Sequence, residues 1–283
     1  MPDQPEQAGP RIDKNVVYGM YSGLALLMDV HHPAEPNGYG IIHVSGSGWN
    51  APLSLDARPL KEAGHVEIEA KPLAEAGYTV FTVNHRATPR FQYPAAVEDV
   101  QRAVRFIRYH AERYGITPDR IGAVGGSSGG HLVSMLGLLD GAGDPEDESP
   151  INRVSARVQC VVARATPVTF LEGGRAGALF LGASVNANTN PQSIEYRRAW
   201  EASPISHVSS DAPPFLLIHG DKDESVPFEM SERLAEALRK VNVEVKLIRV
   251  AGAGHGPSFP GAEDLPDLAG ERARWFDTHL RKT

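Results

Sequence analysis

Disulfide chemistry is closed to this chain: Cys160 is the only cysteine among 283 residues, so no internal bridge can form. It lies in the apolar run VQCVVA, where a buried structural thiol is expected rather than a nucleophile. Long apolar runs are also missing. None approaches the roughly 18 residues of a membrane-spanning helix, so no membrane partner is expected. Positive charge is in deficit, with 28 Lys and Arg against 35 Asp and Glu and a net charge of −7. That balance argues against nucleic acid or an anionic membrane surface as the main partner. The opening MPDQPEQAGP lacks the basic and hydrophobic regions of a secretory signal, which makes a cytoplasmic location the expectation. Metal-ligand spacing is absent too. His31 and His32 are adjacent, neighbours on a strand point to opposite faces, and no Cys or His cluster lies nearby. They are expected to be solvated turn residues, and neither metal nor cofactor is expected.

Apolar residues make up 41 % of the chain and charged ones 22 %, ordinary for a globular protein with a sizeable core. Residues 1–13 are expected to be a flexible lead-in, and 14–283 one α/β domain without repeat or linker. Val16 to Val30 reads as two strands about a turn at Ser22-Gly23, followed by buried strands at Gly40–Val44 and Tyr78–Val83. After Pro94, apolar residues at Val97, Val100, Val104 and Ile107 share one helical face, and Gly115 stops the helix. Asp99 on that helix is expected to be exposed or structural. Further strands are read at Val158–Ala163, Phe215–Ile218 and Val243–Val250, and a closing helix carries Leu268, Trp275, Phe276 and Leu280, with His279 at the surface. Between two late strands, residues 165–212 read as an irregular insert over the site.

The chemistry-bearing stretch is RIGAVGGSSGGHLVSMLGLL, Arg120 to Leu139. A short apolar strand runs through Gly125-Gly126-Ser127-Ser128-Gly129-Gly130 into a helical pattern at Leu132, Val133, Leu136 and Leu139. Serine between glycines on such a turn is a nucleophile elbow, where a Cβ two residues to either side collides with neighbouring backbone. Both Ser127 and Ser128 satisfy Gly-x-Ser-x-Gly. A phosphate-binding turn fits poorly, because the P-loop lysine and the GxGxxG spacing with its ribose-binding acid are missing.

The wider string GGSSGGH resembles the G-D-S-A-G-G-H elbow of the esterase and lipase branch of the α/β-hydrolase superfamily. In that pattern the nucleophile precedes the histidine by four residues, so His131 points to Ser127. The loop Ser45-Gly46-Ser47-Gly48-Trp49 resembles the family's His-Gly-Gly-Gly-Trp, with Ser45 in place of His and Ser47 in place of Gly. By that match the amides of Ser128, Ser47 and Gly48 form the oxyanion hole. HGDKDESVP resembles H-G-x-x-D-x-x-V-P and names Asp223 as the triad acid, with Asp221 and Glu224 as nearby rivals. His255, between glycines after the last strand, takes the place of the general base. The resemblance, closest to bacterial feruloyl and acetyl-xylan esterase-like enzymes, implies an α/β-hydrolase fold: a mostly parallel twisted sheet with helices on both faces. It also implies a serine carboxylesterase for short-chain acyl esters, with acetyl or feruloyl esters of carbohydrates as the substrate class and a small-molecule or oligosaccharide ester as the partner. Trp49, Phe170, Phe180 and Trp200 are the candidate pocket residues, with Leu181 and Tyr196 beside them. An arylformamidase or serine peptidase of the same fold, and a non-catalytic hydrolase-fold binding protein, are the alternatives.

Overall fold

A computed structural model of the chain describes residues 10–281. Two long strands, β1 (Arg11–Tyr21) and β2 (Leu24–His32), form an antiparallel hairpin. Ser22 and Gly23 turn the chain between them with φ of 44° and 83°. The remaining strands are β3 (Gly40–Val44), β4 (Thr79–Val83), β5 (Ile121–Gly126), β6 (Cys160–Arg164), β7 (Phe215–Gly220) and β8 (Val245–Val250). They make one eight-stranded sheet in the order β1-β2-β4-β3-β5-β6-β7-β8. Pairing is antiparallel up to β2–β4 and parallel from β4 to β8.

Residues of β3 to β7 are buried throughout, as expected of parallel strands covered on both faces. Alternation then sorts side chains between two layers. Ile42, Phe81, Ala123 and Leu217 face the larger core, closed by α2 (Ala95–Tyr109), α3 (Ser128–Leu138) and α6 (Glu229–Lys240). Ile41, Val80, Val124 and Ile218 face the other, closed by α1 (Lys71–Glu75) and α7 (Leu268–Leu280). The connection leaving β3 runs to β4 on one side, and the one leaving β5 runs to β6 on the other. The loops after β3 and β5 therefore diverge at the carboxyl edge, the place where open α/β sheets bind ligands.

Several local expectations change. Strand β1 starts at Arg11, inside the stretch read as a lead-in, and residues 1–9 lie outside the described residues. His31 and His32 end strand β2 instead of forming a solvated turn. His32 Nε2 lies 2.8 Å from Asp13 Oδ2 across the hairpin, and His31 Nε2 lies 3.3 Å from Thr82 Oγ1. His279 is 7 % exposed, not a surface residue, because it packs on Trp275 with ring centroids 4.3 Å apart. Asp99 is structural: at 1 % exposure it accepts from the Arg86 amide at 2.6 Å and pairs with its guanidinium. Cys160 is fully buried, and burial pushes its thiol up.

The stretch 165–212 is more regular than expected. It holds α4 (Arg175–Leu181) and α5 (Ile194–Ala202), short helices whose ends are marked in the sequence. Gly182 takes the left-handed conformation after α4, and Ser193 Oγ caps α5 by accepting from the Tyr196 amide at 3.1 Å. Among the described residues no helix is long and apolar enough to cross a membrane.

Candidate active site

Ser127 sits between the end of β5 and the start of α3 with φ 55° and ψ −125°, a conformation costly for any residue with a Cβ. The surrounding glycines show what holds it there. A Cβ at Gly129 would lie 2.0 Å from the Val44 carbonyl oxygen, and one at Gly125 would lie 2.7 Å from the Gly129 backbone. The amide of Ser127 donates to the Arg164 carbonyl at 2.7 Å, which ties the turn to the end of β6. The two serines part company here. Ser127 is half-buried and faces a cavity, whereas Ser128 is 1 % exposed and its Oγ accepts from the Ser47 amide at 2.8 Å.

Asp223 follows β7 and His255 follows β8, on loops that the parallel order of those strands sets beside the elbow. His255 Nε2 lies 3.0 Å from Ser127 Oγ, and His255 Nδ1 lies 2.7 Å from Asp223 Oδ2. Asp223 Oδ1 accepts from the amides of Ser225 and Val226, both at 2.9 Å. His219 Nε2 is 3.3 Å from Asp223 Oδ2, a contact that sequence reading did not anticipate although HGDKD places the two residues four apart. Burial would raise the Asp223 carboxyl, but hydrogen bonds from His219, His255 and the Val226 amide outweigh it. They hold Asp223 well below the usual carboxylate range. The rival acids are engaged elsewhere or lie at the rim. Asp221 pairs with Arg249 at 2.7 Å and accepts from the Gly252 amide, while Glu224 lines the cavity mouth.

Comparison with known proteins gives this arrangement a lineage. The BD-FAE family model matches residues 28–238, about three quarters of the chain. The chain belongs to the BD-FAE family. A probable carboxylic ester hydrolase, LipM, from Mycobacterium tuberculosis is 32 % identical over 162 residues, covering 56 % of this chain and 37 % of the relative. Esterase LipC from the same organism is 32 % identical over 192 residues, covering 63 % and 45 %. The chain thus matches less than half the length of these relatives. Among solved structures, a truncated carbohydrate esterase from gut microbiota superposes with a TM-score of 0.80 at 27 % identity, covering 98 % of this chain and 99 % of that one. An acetyl ester-xyloside bifunctional hydrolase from Caldicellulosiruptor lactoaceticus gives 0.79 at 26 % identity, covering 96 % and 98 %. The fold is the α/β-hydrolase fold.

In this BD-FAE member the loop after β3 departs from the expected oxyanion cradle. The Ser47 amide, expected to face the substrate, already donates to Ser128 Oγ. Gly48 borders the cavity, whereas Ser47 does not. No hydrogen bond from the amides of Gly48 and Ser128 is seen among the described residues, so both are free to donate to a bound group. Ser128 also opens α3, whose N-terminal dipole end favours negative charge at that point.

The cavity above Ser127 measures about 620 Å³, within the usual range for small-molecule sites. Trp49 and Phe170 line it as expected. Phe180 and Trp200 do not. Phe180 is 1 % exposed because it stacks behind Trp49, with centroids 4.7 Å apart, and Trp200 faces outward at 44 % exposure against His207. Leu181 and Tyr196 are also away from the cavity wall. Other lining residues went unread as such in the sequence, among them the less exposed Pro167, Thr169 and Met230 and the exposed Glu172, Arg175 and Glu224. Behind the wall, Trp49 Nε1 donates to His131 Nδ1 at 3.1 Å, and His131 Nε2 lies 2.8 Å from the Ala202 carbonyl oxygen. Burial pushes the His131 imidazole down to about 4, so it is neutral at physiological pH.

Proposed function

We propose that this chain is a serine carboxylesterase whose nucleophile, base and acid are Ser127, His255 and Asp223. Short-chain acyl esters of carbohydrates, acetyl esters first, are its substrate class. The observation that carries this reading is the unbroken relay from Ser127 Oγ to His255 Nε2 at 3.0 Å and from His255 Nδ1 to Asp223 Oδ2 at 2.7 Å. With Nδ1–H donating to the carboxylate, the Nε2 lone pair faces the serine hydroxyl and takes its proton as Oγ attacks the ester carbonyl. Asp223, ionised at all ordinary pH, fixes that tautomer and stabilises the imidazolium that forms. The amides of Gly48 and Ser128 receive the developing oxyanion, each contributing about 3 kcal/mol to the transition state. The imidazolium then protonates the leaving alcohol, and a water activated by His255 hydrolyses the acyl-enzyme.

The carbohydrate side of the proposal rests on the two structural relatives named above. One is a carbohydrate esterase and the other an acetyl ester-xyloside bifunctional hydrolase. We further read residues 14–283 as one domain in which the 165–212 insert covers the site, since Pro167, Thr169, Phe170 and residues 172–177 form one cavity wall.

The test is turnover of p-nitrophenyl acetate together with labelling by a serine-directed organophosphate. Ser127→Ala is expected to lower turnover by about four orders of magnitude or more and to abolish labelling while the protein stays folded. Loss of labelling in Ser128→Ala alone would reverse the assignment of the nucleophile. Acetylated xylan, feruloyl esters, longer acyl chains and N-formylkynurenine then rank the substrates. Faster turnover of N-formylkynurenine than of any acetyl ester would favour an arylformamidase.

A further inference from the structure

Two residues that mark the resemblance to the esterase elbow and loop are missing here. Gly126 stands where the elbow pattern has Asp, and Ser45 stands where the loop pattern has His. The structure fills both places from elsewhere. The Arg164 guanidinium lies directly beneath the residue before the nucleophile, so that a Cβ at Gly126 would meet Nη2 at 2.0 Å. The imidazole touching the loop comes from His65, whose Nδ1 accepts from the Gly46 amide at 3.3 Å and from Arg164 Nη2 at 3.1 Å. Glu69 holds the guanidinium: its Oε1 accepts from Arg164 Nε at 2.7 Å, while its Oε2 lies 3.6 Å from His65 Nδ1, outside hydrogen-bond reach. A π-helical turn, Val66–Ala70, brings His65 and Glu69 to the same face just before α1.

We propose that His65 is a positioning residue for the oxyanion loop, coupling Gly46 to the elbow through Arg164. Arg164 ties the two sides together through hydrogen bonds at both its backbone and its guanidinium. Its own carbonyl accepts from the Ser127 amide, while its side chain reaches the imidazole that holds Gly46, two residues before Gly48. Two N–H groups converge on His65 Nδ1, so the productive state has that nitrogen unprotonated and the ring proton on Nε2. The groups facing this imidazole are Glu69 and Arg164, with His43 on β3 bonded to Glu69 Oε2 at 3.2 Å and Arg272 on α7 acting on Glu69 from the far side. Ser45 cannot serve as the anchor, since its hydroxyl is buried without a partner.

This inference rests on the esterase reading above and concerns the cradle, not the relay. The experiment uses the full chain with p-nitrophenyl acetate and a trifluoromethyl ketone that forms a tetrahedral adduct. His65→Leu removes the acceptor; His65→Asn keeps an acceptor oxygen close to the position of Nδ1. For His65→Leu, kcat is expected to fall by about 10- to 100-fold. Affinity for the ketone should fall in step, and KM should move less than about twofold, because only the tetrahedral state uses the cradle. His65→Asn should recover most of the loss. A His65→Leu protein within about twofold of the parent in kcat overturns the proposal, as does an equal loss in both variants. If His65→Leu does not fold, His65→Ala assayed with added imidazole decides the point: recovery supports it, none overturns it. Inactivity of the unaltered protein, or full activity of Ser127→Ala, would instead strike the esterase reading.

Discussion

The floor of the site and the wall opposite are built differently. Around Ser127, glycines at 125 and 129 leave no space for a Cβ, and the serine amide is bound to β6. Asp223 Oδ1 is fixed by two amides of its own loop, and Oδ2 meets two imidazoles. Facing them, residues 172–176 are all exposed, with Gly173 and Gly174 at φ of 94° and 119° and open space where a Gly174 Cβ would point. Packing and backbone hydrogen bonds therefore fix the geometry of the floor. The wall that would meet the rest of the substrate is free to differ without disturbing it.

Changes to the floor should be far more damaging than changes to the wall. Asp223→Asn is expected to lower kcat by about 10⁴-fold, because the amide favours the wrong imidazole tautomer while its shape still fits. A loss below tenfold in a p-nitrophenyl acetate assay would mean that Glu224 takes over the role. Gly129→Ala drives a methyl into the Val44 carbonyl and should cost about 3 kcal/mol or more in denaturant unfolding. Gly174→Ala meets nothing and should cost only backbone strain of about 1 kcal/mol, with kcat unchanged. Equal losses from the two glycines would erase the contrast.

Protonation offers a gentler probe of the floor. His131, behind Trp49, is held at about 4 against an ordinary 6.5, with burial as the main cause. Between those values the unfolded chain binds the proton and the folded one does not. Stability is thus intact above pH 6.5 and declines as pH falls, at up to about 1.4 kcal/mol per unit, levelling off near pH 4. Asp223 and Glu69, both depressed from ordinary values of 3.8 and 4.5, keep their contribution at pH 5 and lose it as pH falls through those ordinary values and below. Denaturant titrations at pH 7 and pH 5 should show the decline, and His131→Gln should reduce it, with burial of His31, His43 and His85 supplying the remainder.

What could be read in the sequence follows the same division. GGSSGGH, HGDKDESVP and the GHG around His255 were readable because a tight turn or a buried carboxylate restricts the residues that fit, and restriction leaves a motif. The sheet was readable for a similar reason, since strands buried on both faces carry continuous apolar runs. His65, Glu69 and Arg164 lie 99 positions apart at the extremes and meet only through the β3-β5-β6 order, so no local pattern marks them. Phe180 and Trp200 were misread because hydrophobicity alone does not separate an aromatic that lines a cavity from one that backs it. The helices of 165–212 were missed for their shortness, although Gly182 and Ser193 marked their ends.

The smallest expected effect belongs to Arg175. It lines the outer cavity and forms no ion pair among the described residues, while its neighbour Glu172 pairs with Arg233 at 2.6 Å. An exposed cation of this kind acts on a neutral acetyl ester mainly through screened, long-range attraction, worth less than about 1 kcal/mol. Arg175→Ala should therefore leave kcat for p-nitrophenyl acetate within about twofold of the parent. An ester whose alcohol carries a carboxylate is the informative comparison, since pairing with Arg175 would show as a salt-sensitive rise in KM in the variant. A tenfold fall in kcat for the neutral ester would mean instead that the wall closes on the reacting carbonyl, and that wall and floor act as one unit.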